Sequence, residues 1–99
     1  MEKYDLTEKA KEDLFNIWQY TINTWSETQA DNYYSKIIAV FEHLSNNPMY
    51  SGSNYDQIYQ GLRGYFVGKH IVFHLKQANG RVLIVRILHV SMDYKQHLQ

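Results

Sequence analysis

The stretch VLIVRILHV, from Val82 to Val90, contains only two polar side chains, those of Arg86 and His89. Its β-branched and aliphatic residues predict a β-strand. A strand with one face in water would alternate apolar and polar residues, whereas this stretch is apolar at nearly every position. We therefore expect the strand to lie inside a sheet, with other parts of the chain packed against both of its faces.

Two more strands are predicted just before this one. Residues 62–67 and 71–76 are rich in β-branched and aromatic side chains and are separated by Gly68-Lys69. The pair Asn79-Gly80 is a strong signal for a tight turn, so the segment 71–76 should form a hairpin with the last strand. These segments predict a mainly antiparallel sheet of three or four strands.

The N-terminal half has the periodicity of two helices. Apolar residues recur every three or four positions from Ala10 to Trp25, and again from Ala30 to Leu44, as they do on one face of an α-helix. Thr7 can cap the first helix, and Ser26 begins an S-x-x-Q capping box for the second. Asn46-Asn47-Pro48 ends the second helix. Because almost no loop separates them, the two helices should fold back on each other as an antiparallel hairpin.

The order of these elements predicts one α+β domain covering residues 1–99. A short strand at Lys3 to Leu6 precedes a helical hairpin at about residues 7–46, which packs on the sheet. A loop without clear periodicity follows at about residues 47–61, then the sheet at about 62–90 and a short C-terminal helical turn at 93–98.

Composition and charge exclude several classes of protein. The chain has no cysteine, which rules out disulfide frameworks and thiolate metal sites. No apolar run approaches the ~20 residues of a membrane span, and the N-terminus lacks an apolar signal region, so we expect a cytoplasmic protein.

The net charge is zero, with nine acids and four lysines in residues 1–56 and six basic residues and one acid in 57–99. Nucleic-acid binders usually carry an overall positive excess, so we expect only indirect contact with nucleic acid.

Several motifs, in this order, resemble the ParE toxins, a branch of the RelE/ParE superfamily of bacterial toxin–antitoxin systems. They are G-L-R at 61–63, V-G-K-H at 67–70, V-F-H at 72–74 and R-I-L-H-V-S-M-D at 86–93. The N-terminal half also fits, with E-K-A-K-E-D-L in the first helix and W-S-E-T-Q-A at the start of the second. The resemblance implies a toxin that binds DNA gyrase and is neutralised by a ParD-like antitoxin in a hetero-oligomer. If the chain instead resembled the RelE branch of the superfamily, the implied activity would be cleavage of messenger RNA on the ribosome.

A ribonuclease is therefore the alternative. Cleavage of RNA without a metal ion needs a base, an acid and cations for the charge on the phosphorane. The candidate cations are Arg63, Lys69 and Arg86, and His97 is the candidate acid or base. Asp93 follows the last strand, where its carboxylate would repel a phosphate, so this alternative is disfavoured. A third hypothesis is a non-toxic binding module of the same fold.

The polar tail from His89 to His97 is better explained by structure than by catalysis. Ser91 lies in no nucleophile elbow, which disfavours a Ser–His–Asp triad. We expect His89 to be a hydrogen-bonded packing residue and Asp93 to cap the last helical turn. His70 and His74 share a strand but are about 13 Å apart at ~3.3 Å per residue, too far to bind one ion. We predict no metal site and no cofactor.

The predicted role of the sheet is to dock other proteins. An acidic antitoxin segment, disordered when free, would gain from the basic C-terminal half. The side chains predicted at this surface are Arg63, Lys69, His70, Arg86, His89, Met92, Asp93 and Lys95. Trp18 and Trp25 are expected to pack in the core or the hairpin, the alternative for Trp25 being an exposed anchor at the hairpin tip. Tyr50, Tyr55 and Tyr59 are either surface contacts or a lid over the sheet.

Overall fold

The computed structural model describes residues 3–46 and 52–98. The elements in chain order are β1 (Tyr4–Leu6), α1 (Glu8–Thr24), α2 (Glu27–Asn46), β2 (Ser53–Asn54), β3 (Arg63–Val67), β4 (His70–Lys76), β5 (Val82–His89) and α3 (Tyr94–His97). The predicted α+β architecture is confirmed. The first part of the predicted loop, residues 47–51, lies outside the described residues. In the described part of the chain, no helix is both long and apolar enough to cross a membrane.

The sheet has five strands in the order β1-β5-β4-β3-β2. β1 runs parallel to β5, and the other neighbouring strands are antiparallel. The predicted number of strands, three or four, is too low. The additional strand is β2, in which Ser53 and Asn54 of the predicted loop pair with Gly64 and Arg63. A strand of two residues has no periodicity that a sequence pattern can detect.

Both faces of β5 are covered, as its apolar sequence predicts. Side chains of the two helices pack on one face, together with Val82, Ile84 and Ile87 of β5. On the other face Leu88 belongs to a second cluster, which the loop before β3 and the C-terminal turn cover with Tyr55, Ile58, Tyr94 and Leu98. Tyr55 is thus part of a lid over the sheet, whereas Tyr59 is exposed and Tyr50 lies outside the described residues.

The outer edge of β5 is protected by β1 and by the start of α1. β1 pairs with only the first three residues of β5. Directly after β1, the backbone N–H of Thr7 donates to the carbonyl of Ile84 at 3.1 Å and the Thr7 hydroxyl donates to the carbonyl of Val85 at 2.7 Å. The carboxylate of Asp13 then accepts from the backbone N–H of Ile87 at 3.0 Å. These contacts satisfy backbone groups that an exposed edge would leave open to another strand.

The helical hairpin is held by side-chain caps and by a contact between its helices. The predicted caps are confirmed, because the hydroxyls of Thr7 and Ser26 accept backbone N–H groups at 3.0 and 3.1 Å. The indole of Trp18 donates to Asp31 at 3.4 Å and so helps to join the two helices. The prediction that Trp25 packs in the core or the hairpin is wrong, because this residue is 67% exposed. Trp25 instead lines an open cleft together with residues of both helices and of the sheet.

Candidate functional site

A cleft of about 790 Å³ separates the tip of the helical hairpin from the end of the sheet. Its walls come from α1 and α2 on one side and from the β3–β4 turn and the end of β5 on the other. Three exposed residues of the lining, Tyr20, Trp25 and Met92, form an apolar rim. The polar lining includes Tyr33, Lys36, Lys69, His70, His89 and Ser91. Apolar walls with a few convergent polar groups are typical of binding sites.

The hydroxyl of Tyr33, on α2, holds the β3–β4 turn against the hairpin. It lies 3.1 Å from the carbonyl oxygen of Val67, 3.1 Å from the backbone nitrogen of Lys69 and 2.6 Å from Nδ1 of His70. One arrangement of protons satisfies all three contacts, in which the hydroxyl donates to Val67 and accepts from Lys69 and from the Nδ1–H of His70. Gly68 has φ +54°, and a Cβ there would lie 2.6 Å from the Tyr33 hydroxyl. The turn therefore needs glycine at this position.

Two histidines from neighbouring strands meet at the cleft. His70 and His89 are paired in register, and their rings meet edge to face with centroids 5.2 Å apart. Burial, with a further contribution from the nearby His89, lowers the pKa of His70 to about 4, so its ring is neutral near pH 7. Nδ1 of His89 accepts from the backbone N–H of Ser91 at 3.1 Å. When His89 is uncharged, its ring proton is therefore on Nε2.

Ser91, His89 and Asp93 do not assemble into a triad. The Ser91 hydroxyl lies 2.7 Å from Nδ1 of His89, but the two residues are near neighbours in the chain. The carboxylate of Asp93 instead accepts from the backbone N–H of Lys95 at 3.2 Å and caps α3, as predicted. Among the described residues, no cluster of three or more histidine and carboxylate side chains is arranged to hold a metal ion.

Arg86 is not the free cation that the sequence suggested. Its guanidinium donates to both oxygens of Asp13 at 2.8 and 2.9 Å, and the two side chains are only 16% and 12% exposed. It also donates to the backbone carbonyl of His97 at 3.1 Å. The hydrogen bond to Asp13 raises the pKa of Arg86. Arg86 thus links α1, β5 and the C-terminal turn, and Asp13 already neutralises the charge that the sequence suggested was free.

Known proteins that resemble the chain identify its family. A sequence profile described as the ParE toxin of type II toxin-antitoxin system, parDE, matches residues 4–94. The chain belongs to the ParE toxin family. This ParE toxin is 35% identical over 98 residues to Toxin ParE1 of Caulobacter vibrioides, with 99% of both chains covered. It is 30% identical over 96 residues to Toxin ParE1 of Mycobacterium tuberculosis, with 97% of both covered.

A solved structure shares the fold of this ParE toxin. A chain in the structure of the chromosomal ParDE TA system from P. aeruginosa superposes with a TM-score of 0.77 at 17% sequence identity. The match covers 90% of the ParE toxin and 96% of the other chain. The fold that the sequence motifs implied is therefore confirmed.

The other predicted site residues of the ParE toxin lie on different surfaces. Lys69, His70, His89 and Met92 line the cleft together. Arg63 lies at the far end of the β3–β4 ladder from Val67, four residues away and thus ~13 Å along the strand. Asp93, Lys95 and His97 belong to the C-terminal turn, whose Tyr94 and Leu98 cover the face of the sheet opposite the hairpin. The predicted set therefore does not form a single site.

Three residues that line the cleft of the ParE toxin, Asp13, Tyr33 and Lys36, were missed from the sequence. Tyr33 was assigned to the apolar stripe of α2, and its hydroxyl contacts arise only because a turn more than 30 residues later folds back beside it. Lys36 gave no local signal. Asp13 could have been noticed, because an acid directly before the buried Leu14 must find a partner if it lies near the core.

Proposed function

We propose that this ParE toxin inhibits DNA gyrase by binding it, and that an antitoxin neutralises the toxin by occupying the cleft. The observation that carries the proposal is the arrangement of the four basic candidates. Arg63 and Lys69 lie at opposite ends of one hairpin. Arg86 contacts His97, but only through the backbone carbonyl of His97, and its guanidinium is engaged by Asp13. A catalytic site needs its acid, base and cations within hydrogen-bond reach of one phosphate. This arrangement favours binding over ribonucleolysis.

The rim of the cleft supports a protein partner. Tyr20 and Trp25 are each about two-thirds exposed, at 68% and 67%, and Met92 is 46% exposed. Aromatic residues and methionine are enriched where proteins meet, and tryptophan and tyrosine dominate the binding energy there. Trp25 therefore takes the role of anchor at the hairpin tip.

The antitoxin contacts that we propose start in the cleft, at Lys69, His70, His89 and Met92. The other predicted contact residues, Arg63, Asp93 and Lys95, lie outside it, so a partner that reaches them must extend beyond the cleft. A segment that is disordered when free and folds on binding has the length and flexibility to do so. We expect a toxin–antitoxin hetero-oligomer.

A supercoiling assay tests the proposed activity. Purified gyrase, ATP and relaxed plasmid are incubated with increasing amounts of toxin, and the supercoiled product is followed by gel electrophoresis. We expect supercoiling to stop with the toxin alone and to recover when antitoxin is added. Full supercoiling at a large molar excess of toxin would contradict the assignment of gyrase as the target.

The second candidate function is a ribosome-dependent ribonuclease, favoured by the presence of His70, His89 and Lys69 in one cleft. Translated message is followed in cells that express the toxin without antitoxin. We expect growth arrest with intact message. Cleavage that disappears in the His89→Ala variant would establish the ribonuclease instead, and unimpaired growth would indicate a non-toxic binding module.

A further inference from the structure

The cleft has a positive lining although the chain as a whole has no net charge. Among the described lining residues, Asp13 is the one carboxylate, and its two oxygens are taken up by Arg86 and by the backbone N–H of Ile87. Lys36 and Lys69 also line the cleft. Within residues 3–46 and 52–98, neither ammonium group belongs to an ion pair. The cleft therefore offers two positive charges that lack a compensating acid.

His89 adds a hydrogen-bond donor to the cleft. Because its Nδ1 accepts from Ser91, the uncharged ring carries its proton on Nε2 and can donate it to a ligand. The backbone of Lys69 is held in place by the Tyr33 hydroxyl at 3.1 Å. The turn that presents the Lys69 ammonium is thus ordered before any ligand binds, which reduces the entropy lost on binding.

The apolar groups of the cleft indicate which kind of molecule would carry an acidic group into it. Ile17 and Ile87 lie among the lining residues together with Trp25 and Met92. Proteins bind single-stranded nucleic acids largely by stacking bases on aromatic side chains. Tyr20 and Trp25 offer an aromatic surface to a base and to a peptide alike. The aliphatic side chains of Ile17 and Ile87 offer no stacking surface. An apolar side chain, by contrast, gains free energy when it is buried against such groups. The lining fits an acidic peptide better than a nucleic acid.

We infer that the cleft is a receptor for a peptide segment in which a carboxylate side chain lies next to an apolar one. The carboxylate binds Lys36, Lys69 and the Nε2–H of His89, and the apolar side chain packs against Trp25 and Met92. The inference rests on the proposed function, because the antitoxin is the partner that supplies the segment.

Charge removal in the toxin is the first part of the test. The Kd of the full-length antitoxin is measured at low salt for the wild-type toxin and for Lys36→Met and Lys69→Met, which keep the apolar stem and remove the charge. We expect each substitution to weaken binding about five- to tenfold. The matched control is Lys76→Met, an exposed lysine at the opposite end of β4 from His70, for which Kd should change less than about twofold.

A double-mutant cycle then identifies the carboxylate. Each acidic residue of the antitoxin is replaced in turn by its amide, Asp→Asn or Glu→Gln, and combined with Lys69→Met. We expect one amide variant to weaken binding to wild-type toxin and to have almost no further effect on the Lys69→Met toxin. The inference is overturned if no acidic residue shows this coupling, or if both cleft variants bind the antitoxin as Lys76→Met does.

A short fluorescent single-stranded RNA serves as the competing probe. If it binds the wild-type toxin and loses affinity with Lys69→Met while antitoxin affinity is unchanged, the cleft is a nucleic-acid site and the inference is wrong. If the wild-type toxin does not bind the antitoxin at all, both the proposed neutralisation and this inference are wrong. If it binds the antitoxin normally but no acidic residue is coupled to Lys69, only the inference about the carboxylate is wrong.

Discussion

Asp13 and Arg86 are separated by 73 residues in the chain, yet the Asp13 carboxylate receives two hydrogen bonds from the Arg86 guanidinium. Asp13 lies on α1 and Arg86 on β5, and Arg86 also reaches the C-terminal turn through the carbonyl of His97. This ion pair joins the two halves of opposite charge, and its Asp13 also lines the cleft. The pair fixes the position of the hairpin relative to the strand that ends in His89.

Loss of the Asp13 charge should destabilise the fold. In Asp13→Asn, the mostly buried guanidinium of Arg86 loses its counter-charge, and we expect the free energy of unfolding to fall by about 2–4 kcal/mol. Urea denaturation measures the change. The control is Glu8→Gln, which breaks the exposed Glu8–Lys11 pair and should change stability by less than about 0.5 kcal/mol. Similar losses in the two variants would contradict the structural role of the Asp13–Arg86 pair.

Acid should weaken the fold through Asp5. Hydrogen bonds from Arg81, and then from Gln77, lower the pKa of Asp5 from 3.8 to about 2. Because the folded-state pKa lies below the unfolded one, ionised Asp5 stabilises the fold above about pH 4, and this contribution is lost as the pH falls towards about 2. In Asp5→Asn that part of the acid sensitivity should disappear. Urea midpoints of wild type and variant should converge over this pH range, and a constant difference between them would refute the prediction.

The Tyr33 hydroxyl should stabilise the β3–β4 turn. Tyr33→Phe leaves the carbonyl of Val67, the N–H of Lys69 and Nδ1 of His70 without their common partner, and we expect a loss of about 1–3 kcal/mol. Urea denaturation and the NMR signals of the Lys69 amide and His70 ring report the effect. Tyr34→Phe is the control, because the neighbouring Tyr34 is exposed. An unchanged Lys69 amide signal in Tyr33→Phe would show that the hydroxyl does not hold the turn.

Gly68 and Gly80 should respond differently to the same substitution. Both have positive φ, +54° and +85°, but a Cβ at Gly68 meets Tyr33 whereas one at Gly80 meets nothing within 4 Å. Gly80→Ala should therefore cost only backbone strain, about 1 kcal/mol. Gly68→Ala should cost about 2–4 kcal/mol, because the displaced Tyr33 also loses its hydrogen bonds. Thermal unfolding of the two variants makes the comparison, and equal losses would argue against a tight contact at the turn.

Trp25 should matter for binding and not for folding. Trp25→Ala removes a side chain that is 67% exposed, so stability should change by less than about 0.5 kcal/mol. If Trp25 is an anchor, affinity for the antitoxin should fall at least about tenfold. Tyr59→Ala is the control, because Tyr59 is similarly exposed at 62% and does not line the cleft. Calorimetric titration of both variants with antitoxin checks the prediction, which fails if their affinities match.

The elements that follow from local periodicity were predictable. The stripes of α1 and α2, the caps at Thr7 and Ser26, and the hairpin turn at Asn79-Gly80 are each encoded within a few neighbouring residues. The two covered faces of β5 also followed from its composition. The two-residue strand β2 did not, because its pairing depends on β3 and not on its own residues.

The site was less predictable, because its contacts join distant parts of the chain. Lys69, His70, His89 and Met92 were named from the sequence and do line one cleft. Arg86 was taken for a free cation since its partner on α1 is not visible in the local pattern. The stripe of α1 indicated a buried Trp25, but periodicity records only which side chains share a face and not where the covering sheet ends.

The parallel pairing of β1 with β5 has a consequence for the growing chain. The strand that completes the main core is made after the helices that it buries, and contacts such as Thr7 to Val85 span 78 residues. Closing a loop of this length costs conformational entropy before its contacts can form, which slows folding. Before β5 is synthesised, the amphipathic helical hairpin lacks the strand that buries its apolar face. We therefore expect toxicity to begin only after β5 has been made and the domain has folded.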